Sequence, residues 1–288
     1  MDRYWRGSAS AVISAVAYGL MPIFARRAYG MGVGVQELLL VRFVLAFLVI
    51  GLFLRLTRRK SSPSRKQLPF LLALGGIGYF TLANLYFISL LYIPVSVVAL
   101  ILYTYPALVT MGSLALGWER ASMPLISALS LALLGLYLVV NPILSVGPIG
   151  FLMTFGAAVV YTIYILVSTR VLRGLGGDVA SLYVAGSAGV SFLLYDALTG
   201  RMNFGWGLEA WVWAILIAVV STAIAGTAFF QAVKLIGPSK ASILSLIEPI
   251  TSIVAASVVF GEFLGINQLI GGALILLATV IAAVSTRT

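Results

Sequence analysis

Residues 238–262 read PSKASILSLIEPITSIVAASVVFGE, and residues 95–119 read VSVVALILYTYPALVTMGSLALGWE. Laid over one another at an offset of 143 residues, they match Ser96 with Ser239, Pro106 with Pro249 and Glu119 with Glu262. These are the rare residues of each stretch: a proline inside an apolar run and a glutamate at its end. The same offset brings Tyr18 onto Tyr161 and Arg27 onto Arg170, and the hydrophobic runs between them superpose without a gap. The chain therefore reads as a duplication, with residues 1–141 as the first copy and 142–288 as the second.

The solvent each copy faces is lipid. Of 288 residues, 61% are hydrophobic and 9% charged, with a mean hydropathy of +1.12. A soluble domain keeps roughly 25% charged residues to cover its surface, so this chain has too few charges to make a water-soluble globule. A helix needs roughly 20 apolar residues to cross a bilayer. Such runs fall near 8–28, 35–54, 69–91, 94–116, 122–140, 149–169, 179–198, 209–235, 238–260 and 264–284. The expected fold is an all-α membrane protein of ten transmembrane helices, five to each copy. Pro63, Pro94, Pro124, Pro142, Pro148 and Pro238 stand at joints or first turns, where a missing N–H does little harm. Pro22, Pro106 and Pro249 lie inside spans.

Charge fixes the expected orientation. With the N-terminus inside, 14 of the 18 Lys and Arg residues fall on inner segments, three (Arg26, Arg27 and Arg201) fall outside, and Arg42 is buried in the second span. That bias follows the positive-inside rule and places both termini in the cytoplasm, with the chain multi-pass in the cell membrane. Because five is odd, the second copy enters the membrane from the opposite side, so the repeats are inverted. Inverted repeats are the architecture of alternating-access carriers.

The net charge of +10 does not indicate nucleic-acid binding. Six basic residues lie in one loop, Arg55 to Lys66, and the rest are scattered at the ends of apolar runs rather than on one face. With no Cys and no His, disulfides, thiol nucleophiles, iron–sulfur clusters and the usual zinc and haem ligands are excluded, and neither metal nor cofactor is expected. The start, Met1-Asp2-Arg3-Tyr4-Trp5-Arg6, is similar to a signal peptide's charged region, but the apolar stretch after it is too long, so it reads as the first membrane helix. No G-x-x-x-x-G-K loop is present to bind a nucleotide. One mid-membrane Glu, without His or Cys, is a poor basis for an intramembrane enzyme.

Charges inside the bilayer are costly and mark function or a partner. Glu248, about midway along the ninth span, is the candidate for substrate binding and for ion or proton coupling. It is read as sharing a helical face with Ser245 and Ser252, with Pro249 freeing a carbonyl in the same turn. Arg42 is the second charge; an Arg42–Glu248 ion pair that orients helices is the competing reading. Asp196 and Glu37, nearer span ends, are expected to reach interfacial water. Tyr18, Asn84, Tyr103, Tyr161, Thr227 and Gln231 are expected to join Glu248 in a substrate cavity, where rings with hydroxyl tips suit amphiphilic solutes. Tyr4, Trp5, Trp206, Trp211 and Trp213 read as an interfacial belt. Gly75, Gly76, Gly78, Gly186, Gly189, Gly271 and Gly272 read as close-packing surfaces.

Ala17-Tyr18-Gly19 through Arg27, Leu40-Val41-Arg42-Phe43, Ser96 to Pro106 with Gly117-Trp118-Glu119-Arg120, and Pro238-Ser239-Lys240-Ala241 to Glu248-Pro249 and Gly261-Glu262 together carry a resemblance. Over its full length the chain resembles the drug/metabolite transporter superfamily of EamA type. The resemblance implies a ten-helix carrier with a central cavity, and relatives that export amino acids and similar metabolites. It also implies structural or gating importance for Glu119 and Glu262, against which a solvated interfacial charge is the alternative, while Arg42, Pro106 and Pro249 are read from their places inside spans as helix-orienting or gating residues. The departure is Tyr105-Pro106 in the first copy where the second has Glu248-Pro249. The expectation is a secondary transporter of small organic metabolites, monomer or homodimer in the lipid bilayer, exporting amino acids across the cytoplasmic membrane by alternating access. A proton-coupled exporter of cationic drugs and a non-transporting scaffold are the alternatives.

Overall fold

The computed structural model describes residues 2–58, 62–89, 92–93, 98, 101–140, 147–200, 203–260 and 265–284. Every regular element among them is helical. In hydrocarbon, backbone N–H and C=O groups must pair within their own segment, and only a helix achieves this for a single span. In the first half these are α1 (Asp2–Gly19), α2 (Met21–Tyr29), α3 (Val35–Leu56), α4 (Leu68–Ala73), α5 (Phe80–Ser89), α6 (Tyr105–Ala115) and α7 (Met123–Val140). The second half holds α8 (Pro148–Val171), α9 (Gly177–Thr199), α10 (Leu208–Ala218), α11 (Ala225–Ile236), α12 (Pro238–Leu244), α13 (Ile247–Phe260) and α14 (Ile266–Val284). π-Helical stretches, Leu74–Tyr79 and Val219–Ile224, join α4 to α5 and α10 to α11.

Seven helical runs are long and apolar enough to cross a membrane, from Arg3–Tyr29 to Pro238–Val259, and Met123–Leu138 and Ile266–Ala282 are shorter apolar helices. The outer surface is apolar as well: Met123, Leu198 and Leu208 are 81%, 87% and 84% exposed. Large side chains of this kind remain exposed when lipid is the solvent, and the protein is a multi-pass membrane protein.

The halves interlock instead of standing apart. α14 packs on α7, α9 on α3, α12 on α6, α11 on α1 and α8 on α5. Small residues permit the close approaches. A Cβ on Gly75 would run into the Val184 carbonyl, one on Gly186 would sit 2.8 Å from the Phe47 ring, and one on Gly135 would lie 2.6 Å from the Gly271 carbonyl. Gly272 has nothing within 4 Å of such an atom, so it is not part of a tight helix crossing.

Three helices break where the sequence places proline inside a span. The first breaks at Leu20, two residues before Pro22, and α2 restarts with the Ile23 N–H donating to the Leu20 carbonyl at 3.2 Å. α6 begins at Tyr105, just before Pro106. The ninth predicted span is not the continuous helix expected from the sequence. It stops at Leu244, turns through Ser245-Leu246 and restarts at Ile247, which puts Glu248 in the first turn of a half-helix. Proline favours the first turn of a helix because the N–H it lacks has no partner there.

Candidate functional site

The three breaks meet at one place. Tyr18 and Pro22 from the first break, Tyr103 and Tyr105 from the second and Glu248 from the third line a single cavity of about 130 Å³. Arg42 of α3, Tyr79 and Tyr161 also reach it. Of the sequence candidates, then, Tyr18, Tyr103, Tyr161, Glu248 and Arg42 are gathered on one space.

Local geometry explains why Glu248 is held there. The Glu248 N–H donates to the Ser245 carbonyl at 2.9 Å, so the carbonyl that Pro249 might have freed is already taken. Ser245 belongs to the turn, not to the face of α13. Ser252 does lie one turn on, and its hydroxyl donates to the Gly19 carbonyl at 2.8 Å, a group orphaned by the break after α1. A Cβ on Gly19 would sit 2.7 Å from the Glu248 carbonyl and 2.6 Å from the Thr251 Cβ, so only glycine allows α1 and α13 to touch here. The Tyr103 hydroxyl is placed to hydrogen-bond the Glu248 carboxylate.

Arg42 is not the ion-pair partner of Glu248. Its Nε donates to the Thr222 hydroxyl at 2.7 Å, and its Nη2 donates to the Tyr79 hydroxyl at 2.9 Å and to the Ser221 carbonyl at 3.4 Å. The guanidinium carbon lies 5.0 Å from the Phe43 ring centre and 5.6 Å from that of Tyr79. All of these partners are neutral. The Tyr105 and Tyr161 rings meet at a tilt of 56° with centres 4.5 Å apart, and Tyr79 and Tyr161 each lie 6.0 Å from Tyr164. The Tyr105 hydroxyl, beside Ser245 and Tyr161, is buried without a hydrogen bond of good geometry.

Other candidates lie elsewhere. Asn84 turns its Nδ2 back to the Phe80 carbonyl at 2.9 Å, satisfying itself within its own helix. Thr227 and Gln231 line a separate cavity of about 730 Å³ with Asp178 and Lys234, because α11 turns that face to α9. Pro106 is buried at the start of α6 and Pro249 at the start of α13, outside the cavity lining. Glu119 lines a third cavity, of about 740 Å³, among Arg3, Arg120, Arg170, Arg173, Lys234 and Lys240. There its Oε1 accepts the Ser239 N–H at 3.4 Å across the two halves. Gly237, at φ 84°, makes the turn into α12, and a Cβ on it would lie 2.9 Å from that oxygen. Its counterpart Glu262, like Ser96, lies outside the described residues.

Asp196 departs from expectation. Its side chain is buried, and neither carboxylate oxygen has a hydrogen bond among the described residues. Among the aromatic belt residues, Trp206 and Trp211 cluster with ring centres 5.0 Å apart and Trp213 packs 5.9 Å from Phe24, while Trp5 is 56% exposed. Tyr4 instead donates to the Ala282 carbonyl at 3.2 Å. Sequence reasoning missed Tyr79 and Tyr86 as cavity residues and treated Tyr105 only as a departure. The signal that was available is positional: Tyr105 is the repeat mate of Glu248, and Tyr79 that of Thr222.

The EamA-like transporter family matches the chain twice, over residues 5–141 and 148–284. An uncharacterized transporter of Archaeoglobus fulgidus is 32% identical over 276 residues, covering 96% of each chain. The uncharacterized transporter YcbK of Bacillus subtilis is 25% identical, over 92% of this chain and 88% of that protein. A crystal structure 20% identical superposes with a TM-score of 0.81 over 98% of this chain and 97% of its own, a likeness of fold. The chain belongs to the EamA-like transporter family, and it is a membrane transporter rather than an enzyme.

Proposed function

We propose that the protein is a secondary carrier that exports small organic metabolites such as amino acids across the cytoplasmic membrane by alternating access. The observation that carries this reading is the central cavity, where three proline-broken helices surround one carboxylate and a set of tyrosines. Discontinuous helices around a mid-membrane site are the usual construction of secondary carriers. In this reading Glu248, Tyr18, Tyr103 and Tyr161 bind the solute, and Glu248 is the proton-coupling group.

The reading takes the ten spans as two inverted repeats, 1–141 and 142–288, with both termini in the cytoplasm. The seven long apolar runs and two shorter apolar helices support this count, with the tenth span around α6. Reciprocal packing supports a two-fold relation: α1 on α11 is mirrored by α8 on α5, while α3 on α9 and α7 on α14 pair corresponding helices. The basic cavity holding Arg3, Arg120, Arg170 and Lys234 then lies at the cytoplasmic end, in line with the positive-inside rule. Glu119, bound across the halves, would be a gating contact there, and Pro106 and Pro249 set the helix breaks.

Size argues for metabolites over drugs. Pockets for drug-sized ligands run to about 300–1,000 Å³, whereas the central cavity measures about 130 Å³. The deciding experiment is counterflow in proteoliposomes with a panel of amino acids and cationic drugs, at two pH values. Flux of radiolabelled amino acids supports the proposal. Flux of drugs alone would transfer it to the cationic exporter, and silence across the panel would favour the scaffold.

A further inference from the structure

Arg42 is 3% exposed and forms no ion pair with a carboxylate among the described residues. Nε and Nη2 are occupied by Thr222, Tyr79 and the Ser221 carbonyl, and Nη1 has no hydrogen-bond partner among the described residues. The two side chains that hold the guanidinium are repeat mates at the 143-residue offset, each within a π-helical stretch. Arg42 is thus anchored from both halves of the protein, with one edge of the guanidinium left over, and it lines the central cavity.

A buried cation without a counter-ion is costly, and a buried polar group left unpaired carries its own penalty. Glu248 lines the same cavity without an ion pair to Arg42, and the Tyr105 hydroxyl, 1% exposed, lines it beside Ser245 and Tyr161 without a hydrogen bond of good geometry among the described residues. A guanidinium, a carboxyl group and a phenol therefore surround a space of about 130 Å³ with no hydrogen bond or ion pair joining Arg42 to Glu248. A solute carrying both a carboxylate and an ammonium group would compensate both charges. A bare cation would meet Glu248 but add repulsion against the guanidinium.

We infer that Arg42 is the anion-binding residue of the central cavity. Its Nη1–H donates to a carboxylate of the transported solute while the solute's ammonium group turns to Glu248. Planar guanidinium donors match a carboxylate's geometry and keep their charge at all working pH values, so this subsite selects zwitterions over cations. The inference deepens the proposed carrier reading and rests on it.

The test is counterflow of labelled L-leucine into proteoliposomes, competed by L-leucine, by L-leucinamide, which lacks the carboxylate charge, and by 4-methylpentanoate, which lacks the ammonium. In the wild type, leucinamide should compete about tenfold or more weakly than leucine, the loss expected for one charge-assisted hydrogen bond. In Arg42→Gln that preference should collapse towards unity whatever the absolute rate, and Arg42→Lys should restore part of it. Equal competition by leucine and leucinamide in the wild type overturns the inference, even if no Arg42 variant folds. A folded Arg42→Gln that keeps the full preference also overturns it and leaves the carrier reading intact. Absence of flux for every solute in the wild type would instead remove the carrier reading, and this inference with it.

Discussion

The second helix of each repeat's broken pair starts at corresponding positions, yet the two starts are built differently. In the first half, Tyr105-Pro106 opens α6, and a fully buried phenol is left without a hydrogen bond. In the second, Glu248-Pro249 opens α13; the backbone turn is closed by the Glu248 N–H on Ser245, and the carboxylate faces Tyr103. Proline dictates the shared feature, the break. The side chain before it decides what the break offers the cavity. The two starts therefore present different chemistry to the same cavity, a carboxyl group at one and a phenol at the other.

The largest effect should come from the charged start. Glu248→Gln is expected to lower the initial rate of counterflow by about a hundredfold, on the scale of losing a charge-assisted contact, and to flatten its pH dependence between two assay pH values. Unchanged rate and pH profile would make the two starts equivalent and remove Glu248 from the mechanism. Next in size is the glycine that lets α1 reach α13. Gly19→Ala places a Cβ against the Glu248 carbonyl and Thr251, and overpacking of this kind costs about 1–3 kcal/mol. A lowered melting temperature of the detergent-purified protein is expected, with Gly272→Ala, which meets nothing, as the neutral control.

The phenolic start should behave in the opposite sense. Tyr105→Phe removes a buried hydroxyl that has no partner, so stability should hold or rise while affinity for solute falls, measured as melting temperature against counterflow half-saturation. A clear loss of stability would show that the hydroxyl is bonded after all. The smallest effect concerns Asp196, whose buried oxygens are also unpartnered. Asp196→Asn keeps the shape, removes a buried charge, and should raise the melting temperature with little change in flux.

The legible part of the site follows from rarity. In a chain with 9% charged residues, an intramembrane Glu or Arg stands out, and Glu248 and Arg42 do line one cavity. Asn84, Thr227 and Gln231 stand out by repeat correspondence and helical spacing, but weaker polar groups can satisfy themselves on their own helix or face a neighbouring groove. Their direction depends on helix rotation, which the evenly apolar helix carrying Asn84 leaves unspecified, while the amphipathic helix carrying Thr227 and Gln231 turns its polar face to a different groove. Tyr79 escaped notice because a tyrosine in a span is ordinary until a π-helical turn points it at a guanidinium.

Composition and the 143-residue offset by themselves determined a helical membrane chain and its duplication, and marked three prolines inside spans; that the helices break there is a finding of the structure. Hydrocarbon permits one way to satisfy a backbone in a single span, and proline interrupts it wherever it falls. The partnering of Arg42 with Thr222 and Tyr79, the closed Ser245 carbonyl, the burial of Asp196 and the meeting of three breaks were decided by tertiary structure alone. Those outcomes depend on how helices distant in sequence rotate and pack against each other, and packing is a property of pairs of helices, which no single stretch encodes.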